Sequence, residues 1–342
     1  MSERRVKVAV VQPQLELGEV EANLVRLRSL AGAAADEHTP EVLLLPEAMT
    51  SPNLFDRRML RVPQPIDGPA LEMLRGLARS CDCVVGGGFL SIRRGDARHT
   101  YVVAEPDGSL HLHDKDQPSM WENNYYTAGR DDGLFTTALG TVGCAMGFEW
   151  ARSRTARRLR GKVEVVLGGS CWWGAPLNWR PLGPINAREH QYNAIMAREA
   201  APRMARMVGA PCAIAQHVGK VQSRTPLLPG LPYRTVMVGG SMIVERDGRV
   251  LAHLPLEEGE GYVAAEVGLA PPAPVDPIPS GFWHHPMSSV VQFLWYYQNL
   301  HGRLMYPLNR RRAGWERFAG DLPNYVSPEP EASPAELEEA AA

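Results

Sequence analysis

Four positions carry most of the chemistry legible in this chain, and one of them has no side chain. Glu47 closes the run Val42-Leu43-Leu44-Leu45-Pro46, which places a carboxylate at the end of a strand that reads as buried on both faces. Lys115 and Glu122 lie seven residues apart, with Trp121, Tyr125 and Tyr126 interleaved. Ionisable groups at the ends of apolar segments are costly to keep without a role. A carboxylate can take a proton and an ammonium can stabilise developing negative charge. In a hydrolase of this layout the nucleophile stands in the turn after Val142-Gly143-Cys144-Ala145-Met146, and that turn reads Gly147-Phe148-Glu149-Trp150. Glycine adopts the positive φ of a sharp turn without cost. It keeps the turn and removes the nucleophile.

Other cysteines are candidates for the missing thiol. Cys144 lies three residues earlier on the strand, and an odd offset turns it to the opposite face. Cys171 ends the neighbouring strand, Val163 to Leu167 and Gly168-Gly169-Ser170-Cys171-Trp172-Trp173, where a side chain can reach a pocket mouth. Cys212 sits in a strand and reads as core. Trp172 and Trp121 stand at motif ends and read as pocket walls, with Glu149 beside them.

The elements that must hold these residues alternate in type. Strand patterns occupy 6–11, 42–45, 83–90, 142–146, 163–167 and 210–215. Asp107-Gly108 and Asp247-Gly248 are hairpin turns between short apolar runs. Helical spacing is clear over 20–35, through Leu71, Leu74 and Leu77, over 151–160 and over about 188–208. This alternation predicts a layered α/β fold. Residues 270–286 are rich in proline and read as a linker that includes His284-His285. Residues 288–306 form a helix whose Val291, Phe293, Leu294, Tyr297, Leu300 and Leu304 make an apolar face to be buried on the core or on another subunit. The acidic stretch from 327 to 342 is expected to be disordered.

Taken in order, these motifs resemble the nitrilase superfamily of carbon–nitrogen hydrolases, over about residues 5–268. Leu43 to Glu47 is similar to the strand end that supplies that family's general base, and Lys115 to its catalytic lysine. Lys115, Glu122 and Gly129 repeat its Lys…Glu…Gly spacing. Val142-Gly143 through Gly147-Phe148-Glu149 resembles its nucleophile elbow, with Gly147 where the family has cysteine. Gly169 to Trp172 resembles the following strand end, and Gly240-Ser241 to Asp247-Gly248 its closing hairpin. The resemblance implies a four-layer α-β-β-α sandwich over residues 1–270, with a linker and helical extension over 271–326. It implies Glu47 as base, Lys115 as charge stabiliser, Glu122 as the group that positions Lys115 or the leaving amine, and the Phe148 N–H as oxyanion donor. It also implies a homodimer or higher homo-oligomer. With Gly147 in place, two readings stand: hydrolysis without a covalent step (or a nucleophile-deleted variant), or a pseudoenzyme that binds without turnover.

Bulk properties bound the alternatives. The chain has 342 residues, 44% hydrophobic and 22% charged, enough for a full core. Its net charge of -2 argues against a nucleic-acid or membrane-surface role. No apolar run nears the ~20 residues of a membrane span, and the start of the chain has no secretory pattern. Five scattered cysteines fit a reducing cytoplasm. No cofactor is expected. His111 and His113 share a strand face and are a weak metal pair, more simply two residues on a solvated face. Gly86-Gly87-Gly88 reads as close backbone packing rather than a phosphate cradle. Arg152, Arg154, Arg157, Arg158 and Arg160 read as a basic stripe on a solvated or intersubunit face. The expected ligand is a small molecule.

Overall fold

The computed structural model describes residues 4–226 and 228–322, so the acidic stretch from 327 lies outside the described residues. The sheets are built from strands with two buried faces. In Arg4–Gln12, Val6, Val8 and Val10 join one apolar cluster while Ala9 and Val11 join another. Such a strand needs cover on both sides. One cover is a second sheet and the other is a pair of helices.

The first sheet has seven strands among the described residues. Arg4–Gln12 pairs in parallel with Val42–Leu44 and antiparallel with Gly261–Leu269, and the sheet continues through Val84–Arg93, Asp96–Ala104 and Leu110–Asp114. The second has six, with Gly140–Met146, Val165–Ser170 and Cys212–Gln216 parallel at its centre. The sheets meet through Val8, Val10, Leu44 and Tyr101 on one side and Cys144, Met146, Leu167 and Ala215 on the other. Helices α1 (Val20–His38) and α2 (Pro69–Cys81) cover the first sheet. Helix α3 (Ser153–Leu159) and helix α4 (Gly183–Val208) cover the second. The four-layer α-β-β-α sandwich is therefore present.

Local signals set the helix limits. Pro69 begins α2, where a missing N–H is harmless, and Leu71, Leu74, Leu77 and Ala78 form its buried stripe. Gly209 ends α4 at φ +85°. The helix expected over 151–160 is split. A 3₁₀ turn, Gly147–Ala151, precedes α3. The basic stripe is not a solvated face throughout. Arg152 is 1% exposed and pairs with Asp116, and Arg158 donates to Cys144 O at 2.8 Å. A hairpin that periodicity did not reveal, Val218–Thr225 with Leu228–Val238, forms a separate two-stranded ribbon.

The proline-rich stretch packs on the core rather than leaving it. His284 is 5% exposed, and its Nε2 donates to Trp150 O at 2.7 Å. Helix α5 (Ser289–Ala313) then starts from a Ser288 cap whose Oγ accepts the Val291 N–H at 3.1 Å. Within the single chain, the side of this helix that packs on the core is not the apolar stripe expected to be covered by the core or by another subunit. Val291 is buried, but Phe293 is 66%, Leu300 62% and Leu304 72% exposed. Instead Trp295 faces inward against Phe148, and Asn299, Gly302 and Asn309 face the 3₁₀ turn Met120–Asn124. Asn123 Nδ2 donates to Asn299 Oδ1 at 2.9 Å, and Asn309 Nδ2 donates to Asn124 O at 3.1 Å. A Cβ on Gly302 would lie 2.9 Å from the Asn123 backbone, so glycine permits this close approach. Small and polar residues dock this helix, which hydrophobic periodicity cannot reveal.

Candidate active site

The strand ends converge. Glu47 follows its strand at a bend fixed by Gly88 N donating to Pro46 O (3.1 Å) and Met49 N donating to Gly88 O (2.7 Å). Ala48 adopts φ +56°, a costly backbone for a residue with a side chain. Two buried histidines hold the bend. His217 Nε2 donates to Glu47 O at 2.6 Å, and Ala48 N donates to His99 Nε2 at 3.0 Å. Lys115 follows Leu110–Asp114, with its N donating to His99 O (2.9 Å) and its carbonyl accepting from Gly129 N (2.8 Å). That last bond gives the Lys-to-Gly spacing a physical reason.

The charged trio meets in one buried cluster, with Glu47, Lys115 and Glu122 each 1% exposed. Lys115 Nζ lies 2.9 Å from Glu122 Oε2 and 3.5 Å from Glu47 Oε1. Glu122 also accepts from Ser119 N at 2.8 Å and from the Tyr126 hydroxyl. Glu47 Oε1 accepts the Cys171 N–H at 3.3 Å, while Oε2 is buried and has no protein donor. Burial pushes the Glu47 carboxyl up to about 8, against the pull of Lys115 and with Glu122 adding to the rise. Burial works to lower Lys115, but Glu122 and Glu47 outweigh it and hold the ammonium charged.

Gly147 faces this cluster. It opens the 3₁₀ turn at φ +50°, the positive φ expected of the elbow. A Cβ built there would stand 2.7 Å from Lys115 Nζ and 2.8 and 2.9 Å from the two Glu47 oxygens. A side chain at 147 would thus leave the backbone toward the base and the ammonium. Those atoms are the far ends of flexible side chains and can give way. Phe148, next in the turn, has its N–H in the first residues of a helix, where intrahelical acceptors are lacking.

Aromatic residues pack together beside the segments that carry the cluster. Trp121 stacks on Trp173 with centroids 4.3 Å apart and donates from Nε1 to Asn53 O at 3.1 Å. Phe148 meets Trp172 at 6.2 Å and Trp295 of α5 at 5.6 Å. Trp121 and Trp172 are buried, 4% and 3% exposed, next in sequence to Glu122 and Cys171. Cys144 points between the sheets, away from residue 147. Cys171 reaches Glu47 by its backbone only. Its Sγ accepts the Asn53 N–H at 3.4 Å, and burial with the Glu47 charge holds its thiol well above the usual range. Cys171 thus presents its backbone N–H to Glu47, while its thiol is turned to Asn53.

Glu149 is not a pocket wall. Its Oε2 accepts from Met146 N at 2.8 Å and lies 2.9 Å from His113 Nε2, and its Oε1 accepts from Asp116 N at 3.0 Å. It ties the elbow to the segment after Lys115. His113 is fully buried rather than on a solvated face, with Nδ1 2.5 Å from Asp131 Oδ1. Burial would lower His113, but Asp131 and Glu149 raise it to about 9. Burial would raise Glu149, but His113 and Arg158 bring it down to about 2. His111 lies apart, 2.7 Å from Glu105.

Sequence reasoning missed His99, His217, Asn53 and the structural part played by His113. Their partners are backbone atoms or residues 18 or more positions away. Alternation places such a residue on a face but does not name its partner.

The family model for carbon–nitrogen hydrolases matches residues 7–271. Among solved structures, the chain is similar to a carbon–nitrogen hydrolase from Helicobacter pylori G27 (18% identity, 77% of this chain and 89% of that one, TM-score 0.62). It is also similar to Nit3 of Saccharomyces cerevisiae, a member of branch 10 of the nitrilase superfamily (20%, 78% and 90%, 0.58). A third is a variant of the amidase from Nesterenkonia sp. AN1 with the acetamide moiety of fluoroacetamide added covalently at its active site cysteine (16%, 77% and 90%, 0.58). No curated protein sequence matches significantly.

Proposed function

The chain belongs to the carbon–nitrogen hydrolase family, and from that premise we propose that it hydrolyses a small amide, nitrile or related C–N compound by direct attack of water. The observation that supports this is the state of Glu47. Its Oε2 is buried without a protein donor, its carboxyl titrates near 8, and it faces a residue with no side chain. A base with a pKa near the working pH is suited to taking a proton from water. For an amide, water oxygen bonds to the carbonyl carbon and its proton passes to Glu47. Negative charge on the carbonyl oxygen is met by Lys115 and the Phe148 N–H. Glu47 then returns the proton to the nitrogen as the C–N bond breaks. Glu122 and Tyr126 keep Lys115 in place.

The experiment is turnover of a panel of small amides and nitriles by the purified chain beside Glu47→Gln. The second reading, a binding subunit without turnover, is favoured by the near-complete burial of Glu47, Lys115 and Glu122 and by Gly147. Tight ligand binding with no turnover across the panel would establish it.

We also propose self-association through α5. Phe293, Tyr296, Tyr297, Leu300, Leu304 and Leu308 are all exposed and recur at helical spacing along one stripe. A contiguous apolar patch of this kind marks an interaction surface. Light scattering should give an oligomer for the chain and a protomer mass for Leu300→Glu with Leu304→Glu. A monomer at micromolar concentration without any substitution would refute it. Among the described residues, no helix is long and apolar enough to cross a membrane.

A further inference from the structure

We infer that a basic cleft backing onto the catalytic segment binds a small multivalent anion of carboxylate or phosphate chemistry. The cleft encloses about 1220 Å3. Its walls are the 3₁₀ turn that follows the Glu47 bend, the Val218–Val238 hairpin and α5. Arg57, Arg58, Arg224 and Arg312 line it with His301, against the single carboxylate of Asp56.

That carboxylate is already matched. Arg58 Nε and Nη2 donate to Asp56 at 3.0 and 3.2 Å, and although burial works upward, Arg58 holds the Asp56 carboxyl below its usual range. The side chains of Arg57 and Arg312 make no hydrogen bond or ion pair among the described residues. They bring uncompensated positive charge into a concave site. The chain as a whole carries -2, so this is a local concentration rather than general basicity. A cleft lined by one sign of charge focuses its field on a counter-ion. Guanidinium forks fit carboxylate and phosphate oxygens two at a time. Asn124, Gln222 and Ser223 line the same space and supply neutral hydrogen-bonding groups. Sites for organic ligands usually span ~300–1,000 Å3, so the cleft has room for an organic anion and not only a lone ion.

Position makes the site consequential. Asn124 and Tyr125 line the cleft, while their neighbours Glu122 and Tyr126 bond in the Lys115 cluster. Tyr125 is tied to Asp56 from both directions, its hydroxyl donating to Asp56 O and accepting from Asp56 N, each at 3.0 Å. The cleft and the cluster are thus two sides of one short segment. His301 and Arg312 lie beyond the residues matched by the family model, so the C-terminal extension supplies part of the basic wall. The inference stands apart from the water mechanism, because binding can be read without turnover.

The test is calorimetric titration of the full chain with citrate and, separately, with inorganic phosphate, at low salt in a buffer free of other polyanions. One site is expected. Arg57→Ala and Arg312→Ala should each weaken binding on the order of tenfold, the loss of one charged hydrogen-bonding group. Both side chains are exposed and unpaired, so the variants should keep the native circular dichroism. Arg303→Ala, exposed on α5 but outside the cleft, should bind as the unsubstituted chain does. Tighter citrate assigns carboxylate chemistry, and tighter phosphate assigns phosphate chemistry. Absence of binding by both probes at millimolar concentration would overturn the inference. So would unchanged binding in the Arg57 and Arg312 variants, or an equal loss in Arg303→Ala.

Discussion

Replacing Glu47 with glutamine should lower kcat for a small amide on the order of 10²–10⁴-fold, the range of a lost general base. The substitution keeps shape. The amide oxygen can still accept the Cys171 N–H that now reaches Oε1 at 3.3 Å. What is lost is the capacity to take a proton. KM should change little, because the loss falls on the transition state. The pH dependence follows from the same group. Burial raises the Glu47 carboxyl to about 8, so it carries a proton below that pH and is a base above it. The rate kcat/KM should therefore rise with pH through about 8, and this limb should vanish in Glu47→Gln. Because the folded value lies above the unfolded one, the same group favours folding below about 4.5 and loses that contribution as pH climbs through 8. Activity and stability thus pull in opposite directions at the base, as expected where function sets the environment. Equal kcat in the two proteins would remove Glu47 from the mechanism.

The largest effect on stability is expected at His113. Replacing it with leucine leaves Glu149 and Asp131 buried without their shared cation, and breaking a buried pair in this way costs about 3–5 kcal/mol. The pH window has two edges. His113 is raised to about 9 from 6.5, so its contribution is complete below 6.5 and is lost as pH rises through 9. Glu149 is lowered to about 2 from 4.5, so its contribution is complete above 4.5 and is lost as pH falls through 2. The network is at full strength between those limits. Urea unfolding at pH 6 and at pH 9 should show the substitution costing more at pH 6. A loss below about 1 kcal/mol at pH 6 would mean the network is not a structural support.

The core of the site is legible in the sequence for a physical reason. Glu47 and residue 147 stand where apolar strands stop, a local signal, whereas Lys115 follows the mixed strand Leu110–Asp114 and is legible through the family-like spacing to Glu122 and Gly129. The sandwich is legible because two-faced strands such as Arg4–Gln12 and Val42–Leu44 demand cover on both sides. What escapes is what depends on distant partners. Glu149 reads as a pocket residue from its place after the elbow, yet His113, 36 residues earlier, draws it away. The apolar α5 stripe reads as a face for the core or another subunit, and what sequence does not show is that Gly302, Asn299 and Asn309 dock the opposite side on the core through close approach and hydrogen bonds. Arg152 and Arg158 read as solvated and are held inward by Asp116 and a strand carbonyl.

The central claim is that this site performs hydrolysis without a nucleophilic side chain. The most direct test assays the chain and its Gly147→Cys form side by side on the amide and nitrile panel, with intact-protein mass spectrometry during turnover. The account predicts that the chain with Gly147 turns over substrate and carries no acyl adduct, whereas the Gly147→Cys form accumulates one. Turnover confined to the Gly147→Cys form would contradict it, and would show a site that retains its base and charge stabiliser but cannot act without a thiol.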